Sequence, residues 1–264
     1  MKKNKSKYRH LKIDKEKQKR KVKIATLFEI IFLILIMISV IYIIKWAKEN
    51  NKNKALQKEL ESYIIPNDTT NSISNTKANK IDFEALKEKN SDTVGWINLK
   101  NTNIQFPVVQ AKSNDFYLTH SFDKSYNSAG WIFMDYRNSL DSQNIVIYGH
   151  NRRDGTMFAQ MLNCLKPQWY ENKDNQNVEF ITTDNTNYTY KIFSIYKVEK
   201  EDYYIQTEFK ENKTYENFLK TIKERSIKNF EVNININNQI LTLSTCANDS
   251  KYRVVIHAVK VENN

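Results

Sequence analysis

The chain has 264 residues, with 41 Lys and Arg, 30 Asp and Glu, four Gly and two Cys. No two glycines stand close enough for a dinucleotide fingerprint or a phosphate-binding P-loop, which disfavours the nucleotide-binding folds. Two cysteines cannot build a disulfide framework or a multi-thiolate zinc site. No His-Glu-x-x-His motif occurs, which excludes zinc proteases of that type.

The net charge of +11 is concentrated at the N-terminus. Residues 1–23 hold twelve basic and two acidic side chains, a net charge of +10, so the other 241 residues together carry +1. We expect this basic arm to contact anionic lipid headgroups. The near-neutral remainder argues against a nucleic-acid partner.

An apolar segment follows the arm. Residues 24–44 include one charged residue, Glu29, and at about 1.5 Å per residue they extend over about 31 Å, close to the thickness of a bilayer core. The run is longer than the apolar part of a signal peptide, and no small-x-small cleavage site follows it. The sequence therefore predicts a single-pass anchor in the cell membrane, with the basic arm in the cytoplasm and the remainder outside.

The next segment, residues 45–80, is polar and is predicted to be an extracellular linker. Weak helical periodicity is present at 55–65, and 66–80 has almost no apolar residue, which is typical of a flexible spacer. The folded domain is expected to cover residues 81–264.

Most of that domain is predicted to be β-structure. Alternating or continuous apolar runs predict strands at 94–99, 106–110, 115–122, 130–136, 144–150, 177–183, 188–199, 239–246 and 252–261. Helical spacing is found at 83–88, 157–165 and 214–226. Many short strands with few helices indicate a barrel or a sandwich.

The cysteines occupy different settings. Cys246 ends the strand 239–246, whose leucine face is expected to be buried while Thr242 and Ser244 share the face of the thiol. A thiol at a strand end that opens onto a polar loop is placed like a nucleophile. Cys164 lies in an apolar helical segment, which predicts a packed small hydrophobe.

A nucleophilic thiol needs a base, and an oxyanion needs a cationic donor. His150 stands where an apolar strand meets a polar loop, which makes it the modest favourite, while His120 and His257 are expected to be structural. Arg253 is the only arginine after Cys246 and opens the next strand. From position alone, Arg253 is equally compatible with an oxyanion donor and with a surface salt bridge.

The motifs resemble those of class B sortases in order and spacing. The resemblance rests on TLSTC at 242–246 followed by Arg253, on NIVIYGHNRRDGTM at 144–157, and on segments within 82–99, 102–109, 114–118 and 130–138. It covers about residues 81–261. It implies a mainly β fold, an eight-stranded sortase-type barrel with a few flanking helices, preceded by one N-terminal transmembrane helix.

The resemblance also implies a catalytic site. Cys246 would be the nucleophile, His150 the general acid and base, and Arg253 the cation that orients substrate or stabilises the oxyanion. One departure is that only six residues separate Cys246 from Arg253, fewer than in many sortases.

Five further residues match supporting or substrate-binding positions of the family. Ser244 matches a supporting position, Asn114 and Leu118 match a pocket segment, and Tyr204 and Ile205 match a loop that covers the sorting peptide. The resemblance implies no cofactor, and the sequence shows no metal site.

The implied reaction is transpeptidation through a thioacyl enzyme. The partners would be secreted proteins with a C-terminal sorting motif of Asn-Pro-x-Thr or Ser/Pro-Pro-x-Thr type, cleaved after Thr, and an amine of a peptidoglycan cross-bridge or of its lipid-linked precursor. Two alternatives remain open from the sequence: a thiol hydrolase of the same peptides, and a non-catalytic membrane-anchored binding module.

Overall fold

The computed structural model of the chain describes residues 2–66, 80–246 and 251–261, with the backbone alone for residues 2–14 and 246. The contacts divide the chain into two compact units, residues 1–49 and residues 50–264. Four α-helices are described: α1 (Lys2–Glu61), α2 (Phe83–Lys89), α3 (Pro167–Tyr170) and α4 (Asn212–Glu224).

The first unit consists of the N-terminal part of α1. Within the described residues, one helix is long and apolar enough to cross a membrane: Lys15–Glu61 contains a window of mean hydropathy 3.0, and none of that window is buried. Phe28, Phe32 and Tyr42 are each more than 60% exposed. A helix that is apolar on every face suits a lipid environment, which is consistent with a membrane-anchored protein.

The second unit contains ten strands. They are β1 (Ile64–Ile65), β2 (Lys80–Ile81), β3 (Thr93–Leu99), β4 (Gln105–Val109), β5 (Phe133–Met134), β6 (Asn144–His150), β7 (Asn177–Thr182), β8 (Asn187–Glu199), β9 (Ile240–Cys246) and β10 (Tyr252–Val261). Short 3₁₀ helices lie between them at Phe116–Leu118, Phe158–Leu165, Lys173–Asn175 and Tyr203–Ile205.

Eight of these strands close into a barrel in the order β10, β8, β7, β3, β4, β5, β6 and β9. The pairs β4–β5 and β6–β9 are parallel and the other neighbours are antiparallel. Every barrel strand has a neighbour on both sides, although β5 is only two residues long and meets β4 at a single pair, Val109 opposite Phe133. The mainly β, eight-stranded barrel with few helices expected from the sequence is confirmed.

The hydrophobic core of the second unit is rich in aromatic side chains. Trp131 and Phe106 are fully buried and meet edge to face, with ring centroids 5.6 Å apart. Both faces of β9 are buried, including Thr242 and Ser244, whereas the sequence predicted burial for the leucine face alone. The hydroxyls can be buried because they form hydrogen bonds inside the barrel wall.

The expected linker is shorter in the structure than in the sequence interpretation. The C-terminal part of α1 belongs to the second unit, where Leu56 and Leu60 lie in the hydrophobic core. The strand β1 that follows pairs with β2. The two leucines stand four residues apart, on one helical face, and that face packs on the core. Residues 67–79 of the expected spacer lie outside the described residues.

Three element predictions were wrong in type or length. Residues 115–122 form a 3₁₀ turn instead of a strand, and the strand predicted at 130–136 is reduced to β5. The segment 157–165 is a 3₁₀ helix rather than an α-helix. At the first of these, Tyr117 is fully buried and its hydroxyl donates to Asp92 at 2.7 Å, so a tertiary contact overrides the strand propensity of the segment.

Candidate functional site

Two parallel strands bring the predicted nucleophile and base together. β6 and β9 pair in register from Asn144 opposite Ile240 to His150 opposite Cys246. His150 and Cys246 are thus direct cross-strand partners at the last position of each strand. They are 96 residues apart in sequence, so only the fold creates this proximity.

The predicted cation lies on the neighbouring strand. β10 runs antiparallel to β9 with Val255 opposite Ser244, and continuing that register by two residues places Arg253 level with Cys246. Arg253 is half-buried. Residues 247–250, which connect the strands, lie outside the described residues. The three predicted catalytic residues are therefore found on adjacent strands at one end of the barrel.

The imidazole of His150 is held by the loop before β5. Its Nε2 lies 2.8 Å from the carbonyl oxygen of Leu118, and a carbonyl can only accept, so Nε2 carries a proton. His150 is buried. Gly130, at φ +59°, forms part of the wall: a Cβ there would lie 2.9 Å from Cδ2 of His150 and 2.4 Å from the carbonyl oxygen of Tyr117. Only glycine fits this position without displacing the ring.

Residues of helix α1 form hydrogen bonds with the loop that contains Gly130 and with the residues after His150. The Gly130 N–H donates to the carbonyl of Asn127 at 2.9 Å, and Nδ2 of Asn127 donates to Oδ1 of Asn53 at 2.8 Å. Arg152, two residues after His150, donates to the Asn50 side chain. Sequence reasoning missed both helix asparagines because they lie in the segment interpreted as a linker.

A supporting pair lies next to the strand end. Tyr204 and Ser244 are both buried, and their hydroxyl oxygens are 3.1 Å apart. Ile205 is half-buried, and its carbonyl accepts from Nη2 of Arg137 at 2.9 Å. Tyr204 is therefore bonded to the strand that carries Cys246, at Ser244, two residues before the cysteine.

The two residues predicted to line a pocket, Leu118 and Asn114, have different contacts. Leu118 contacts His150 through its carbonyl oxygen. Asn114 is engaged by a carboxylate, since its Nδ2 donates to Oδ2 of Asp135 at 3.0 Å, and its Oδ1 accepts from the Tyr136 N–H at 3.0 Å. The amide of Asn114 is thus fixed in orientation from both ends.

Asp135 is a buried hub that sequence reasoning did not single out. Its carboxylate accepts from Nε and Nη2 of Arg137 at 2.8 and 2.7 Å and from the hydroxyl of Tyr148 at 2.9 Å. Burial alone would raise the pKa of Asp135, but the hydrogen bonds from Arg137, and then from Tyr148 and Asn114, lower it. The hub links Asn114 to Tyr148, which stands two residues before His150. The Asp-x-Arg spacing was the only signal of it in the sequence.

The other histidines and the second cysteine considered in the sequence analysis are packed within the fold. His257 is fully buried inside the wall, between Tyr196 and Thr242. His120 is half-buried and stacks on Phe116, with ring centroids 4.1 Å apart. Cys164 is fully buried, and burial raises the pKa of its thiol far above the usual range. Among the described residues, no group of three or more His, Cys, Asp or Glu could hold a metal ion.

Comparisons with known proteins identify the family of the chain and support its fold. Residues 97–261 match the sortase domain family. Sortase B of Staphylococcus aureus is 38% identical over 183 residues, which cover 67% of this chain and 73% of that protein. The crystal structure of sortase B from B. anthracis has a TM-score of 0.70 at 29% identity, covering 82% of this chain and 99% of that one. A Staphylococcus aureus sortase B–substrate complex has a TM-score of 0.65 at 32% identity, covering 84% of this chain and 96% of that one.

Proposed function

The chain belongs to the sortase family and is a sortase B-type cysteine transpeptidase, and from this premise we propose that Cys246, His150 and Arg253 form its catalytic site. The observation that carries the proposal is the strand register. His150 and Cys246 are cross-strand partners, and the β9–β10 register, continued by two residues beyond the Val255–Ser244 pair, brings Arg253 level with Cys246. No other described cysteine competes, because the thiol of Cys164 is buried and kept protonated.

In the first step Nδ1 of His150 takes the thiol proton of Cys246, which gives a thiolate beside an imidazolium. The thiolate adds to the carbonyl carbon of the threonine in a sorting motif. Arg253 donates to the oxyanion that forms. Because Nε2 of His150 keeps its proton for the Leu118 carbonyl, Nδ1 is the nitrogen that exchanges a proton with substrate. It protonates the leaving amine as the C–N bond breaks, and a thioester remains on Cys246.

In the second step an amine resolves the thioester. The amine attacks the thioester carbon, His150 takes up the proton that the amine loses, and Cys246 leaves as a thiolate. The product is a new peptide bond between the secreted protein and the acceptor. We infer that the acceptor is an amine of a peptidoglycan cross-bridge or of its lipid-linked precursor.

The sorting motif is proposed to be of Asn-Pro-x-Thr or Ser/Pro-Pro-x-Thr type. A Staphylococcus aureus sortase B has been solved as a complex with substrate, which supports the binding of a sorting peptide by this chain. Asn114, Leu118, Tyr204 and Ile205 are the residues we assign to that peptide, and Ser244 is assigned a supporting role. The fixed amide of Asn114 and the Tyr204–Ser244 contact support the assignment, because these three side chains are already oriented before substrate binds.

Residues 24–44 are proposed to cross the membrane once, with the arm 1–23 in the cytoplasm and residues 50–264 outside. The excess of basic residues at the N-terminal flank supports this orientation. Membrane anchoring would confine the enzyme to the surface at which both substrates arrive. Confinement raises the effective concentration of each substrate in the manner of a short tether.

The test uses the full-length protein in detergent micelles, with quenched fluorescent peptides carrying Asn-Pro-Gln-Thr, Ser-Pro-x-Thr or Leu-Pro-x-Thr motifs, with and without a short amine acceptor. We expect cleavage after Thr and an acceptor-joined product detected by mass, both lost in Cys246→Ala. Cleavage without a joined product, across several acceptors, would replace transpeptidation by hydrolysis. A folded protein that cleaves none of the peptides would contradict the proposal in favour of a binding module.

A further inference from the structure

A continuous chain of hydrogen bonds runs through the barrel wall beside the site. The Tyr203 hydroxyl donates to the Tyr196 hydroxyl at 2.9 Å, which lies 2.8 Å from Nε2 of His257. Nδ1 of His257 lies 2.8 Å from Oγ1 of Thr242, which donates to Oδ1 of Asn144 at 2.6 Å. The chain thus connects β8, β10, β9 and β6 in that order.

The donor and the acceptor of each hydrogen bond in this chain follow from Asn144, its last member. Nδ2 of Asn144 donates to the carbonyls of Tyr204 and Gln206 at 3.2 and 2.8 Å, and carbonyls only accept, so Oδ1 must accept the proton of Thr242. The Thr242 oxygen then accepts from Nδ1–H of His257. Nε2 of His257 is left as an acceptor for the Tyr196 hydroxyl.

The interior of the chain is closed to solvent. Tyr196, His257, Thr242 and Asn144 are each at most 2% exposed, so the loss of one link leaves buried polar groups without partners. Burial lowers the pKa of His257 to about 3. The imidazole therefore stays neutral at physiological pH, in the single tautomer that the chain requires.

Both ends of the chain act on one segment, residues 203–206. The hydrogen-bond chain starts at the hydroxyl of Tyr203. The guanidinium of Arg225 lies over the ring of Tyr203, 4.2 Å from its centroid. The hydrogen-bond chain ends at the carbonyls of Tyr204 and Gln206. Between these ends the side chain of Tyr204 reaches Ser244. Residues 203–206 are therefore held by the interior of the barrel as well as by their own turn.

We propose that Thr242 and His257 are positioning residues for segment 203–206, holding it in the place where it covers the sorting peptide. They touch neither the peptide nor the reacting atoms, and they act through Asn144 and the two carbonyls that it binds. The assignment rests on the proposed function, since that function gives Tyr204 and Ile205 their role. It goes beyond that function because it makes a buried histidine, outside the catalytic site, a determinant of substrate affinity.

The test compares three variants of the full-length protein in micelles. Thr242→Val has nearly the same shape but breaks the chain, and Thr242→Ser restores the hydroxyl. The matched control is Thr182→Val at the β7–β8 turn, where another buried threonine hydroxyl bonds to the Asp184 carboxylate and the Thr186 carbonyl. Hydrogen exchange of the amides in 203–206 is measured by mass spectrometry. Steady-state kinetics are measured with an Asn-Pro-Gln-Thr peptide.

We expect Thr242→Val to speed exchange in 203–206 by about tenfold and to raise KM by about tenfold with kcat little changed. Thr242→Ser should recover both values, and Thr182→Val should change neither. Equal exchange rates in Thr242→Val and Thr182→Val would overturn the inference. If the parent protein leaves the peptide intact, the kinetic result counts against the proposed function, and the exchange result still decides the positioning role.

Discussion

The strand ends that carry His150 and the interior wall that carries His257 each bury a histidine, yet they hold the ring in different ways. His150 is 6% exposed and His257 is fully buried, so burial hardly separates them. The partner of Nε2 in His150 is a loop carbonyl. His257 is saturated at both nitrogens by hydroxyls from the neighbouring strands.

The difference teaches that the register position and the partners of a buried histidine indicate its role better than its accessibility does. His150 is the cross-strand partner of a cysteine at the point where both strands end. His257 pairs in mid-strand with Thr242 and Ser194. A ring with both nitrogens engaged in the interior has no exchangeable position for a substrate proton. It can hold other groups in place instead.

The largest expected effect separates the two histidines directly. His150→Ala removes the proposed general acid, so we expect kcat/KM to fall by about 10³-fold or more. His257→Gln should keep kcat within about tenfold, because the catalytic groups remain in place. Steady-state cleavage of a fluorescent sorting peptide measures both, with circular dichroism as the control for folding. A folded His150→Ala protein that retains a tenth of the activity would remove His150 from the mechanism.

Arg253→Ala tests whether the strand-end region includes an oxyanion donor. We expect kcat to fall by about 10²- to 10³-fold, as for the loss of one oxyanion-hole donor. Arg253→Lys should recover part of it, because the charge is kept without the planar donor fork. If Arg253→Ala turns over substrate like the parent protein, the residue belongs to a surface contact and not to the site.

The pH dependence of the unfolding free energy tests whether His257 is buried and neutral in the folded protein. The pKa of His257 is lowered from 6.5 to about 3 by burial, so between those values the unfolded chain binds a proton that the folded chain does not. Stability therefore falls on acidification through this window, by up to about 1.4 kcal/mol per pH unit from this group. Denaturant unfolding from pH 7 to 4 should show this slope, and His257→Gln should show a shallower one. Identical slopes in the two proteins would mean that His257 is solvated.

The smallest expected effect concerns the second cysteine. Cys164 is a buried residue of the 3₁₀ helix Phe158–Leu165 and its thiol is held protonated, so Cys164→Ser should leave turnover unchanged. The buried hydroxyl should cost about 1–2 kcal/mol of unfolding free energy. Activity assays and urea unfolding measure the two quantities. Lost activity in a Cys164→Ser protein that is still folded would contradict the assignment of Cys246.

Much of the barrel could be predicted because its strands have a local signal. β6, β9 and β10 are apolar runs bounded by polar residues, and their predicted limits match the structure within one residue. Segment 115–122 has the same strand-forming residues but is turned by the burial of Tyr117 against Asp92. Leu56 and Leu60 show a helical spacing, but the core that they join is formed by residues distant in sequence.

The candidate site could likewise be predicted in part. The strand-end positions of His150, Cys246 and Arg253 are visible in the sequence, and the parallel pairing that joins the first two is not. The partners of His257 come from Tyr196 and Thr242, 61 and 15 residues away. No spacing rule indicates such contacts, because they depend on the closure of the barrel.

The most direct test of the catalytic assignment is the trapping of the thioacyl intermediate. Full-length protein in micelles is mixed with an Asn-Pro-Gln-Thr peptide in the absence of an amine acceptor, quenched in acid and analysed by intact mass and by peptide mapping. The account predicts an adduct equal to the peptide up to its threonine, attached at Cys246 and absent in Cys246→Ala. An adduct on Cys164, or peptide cleavage that persists in Cys246→Ala, would contradict it.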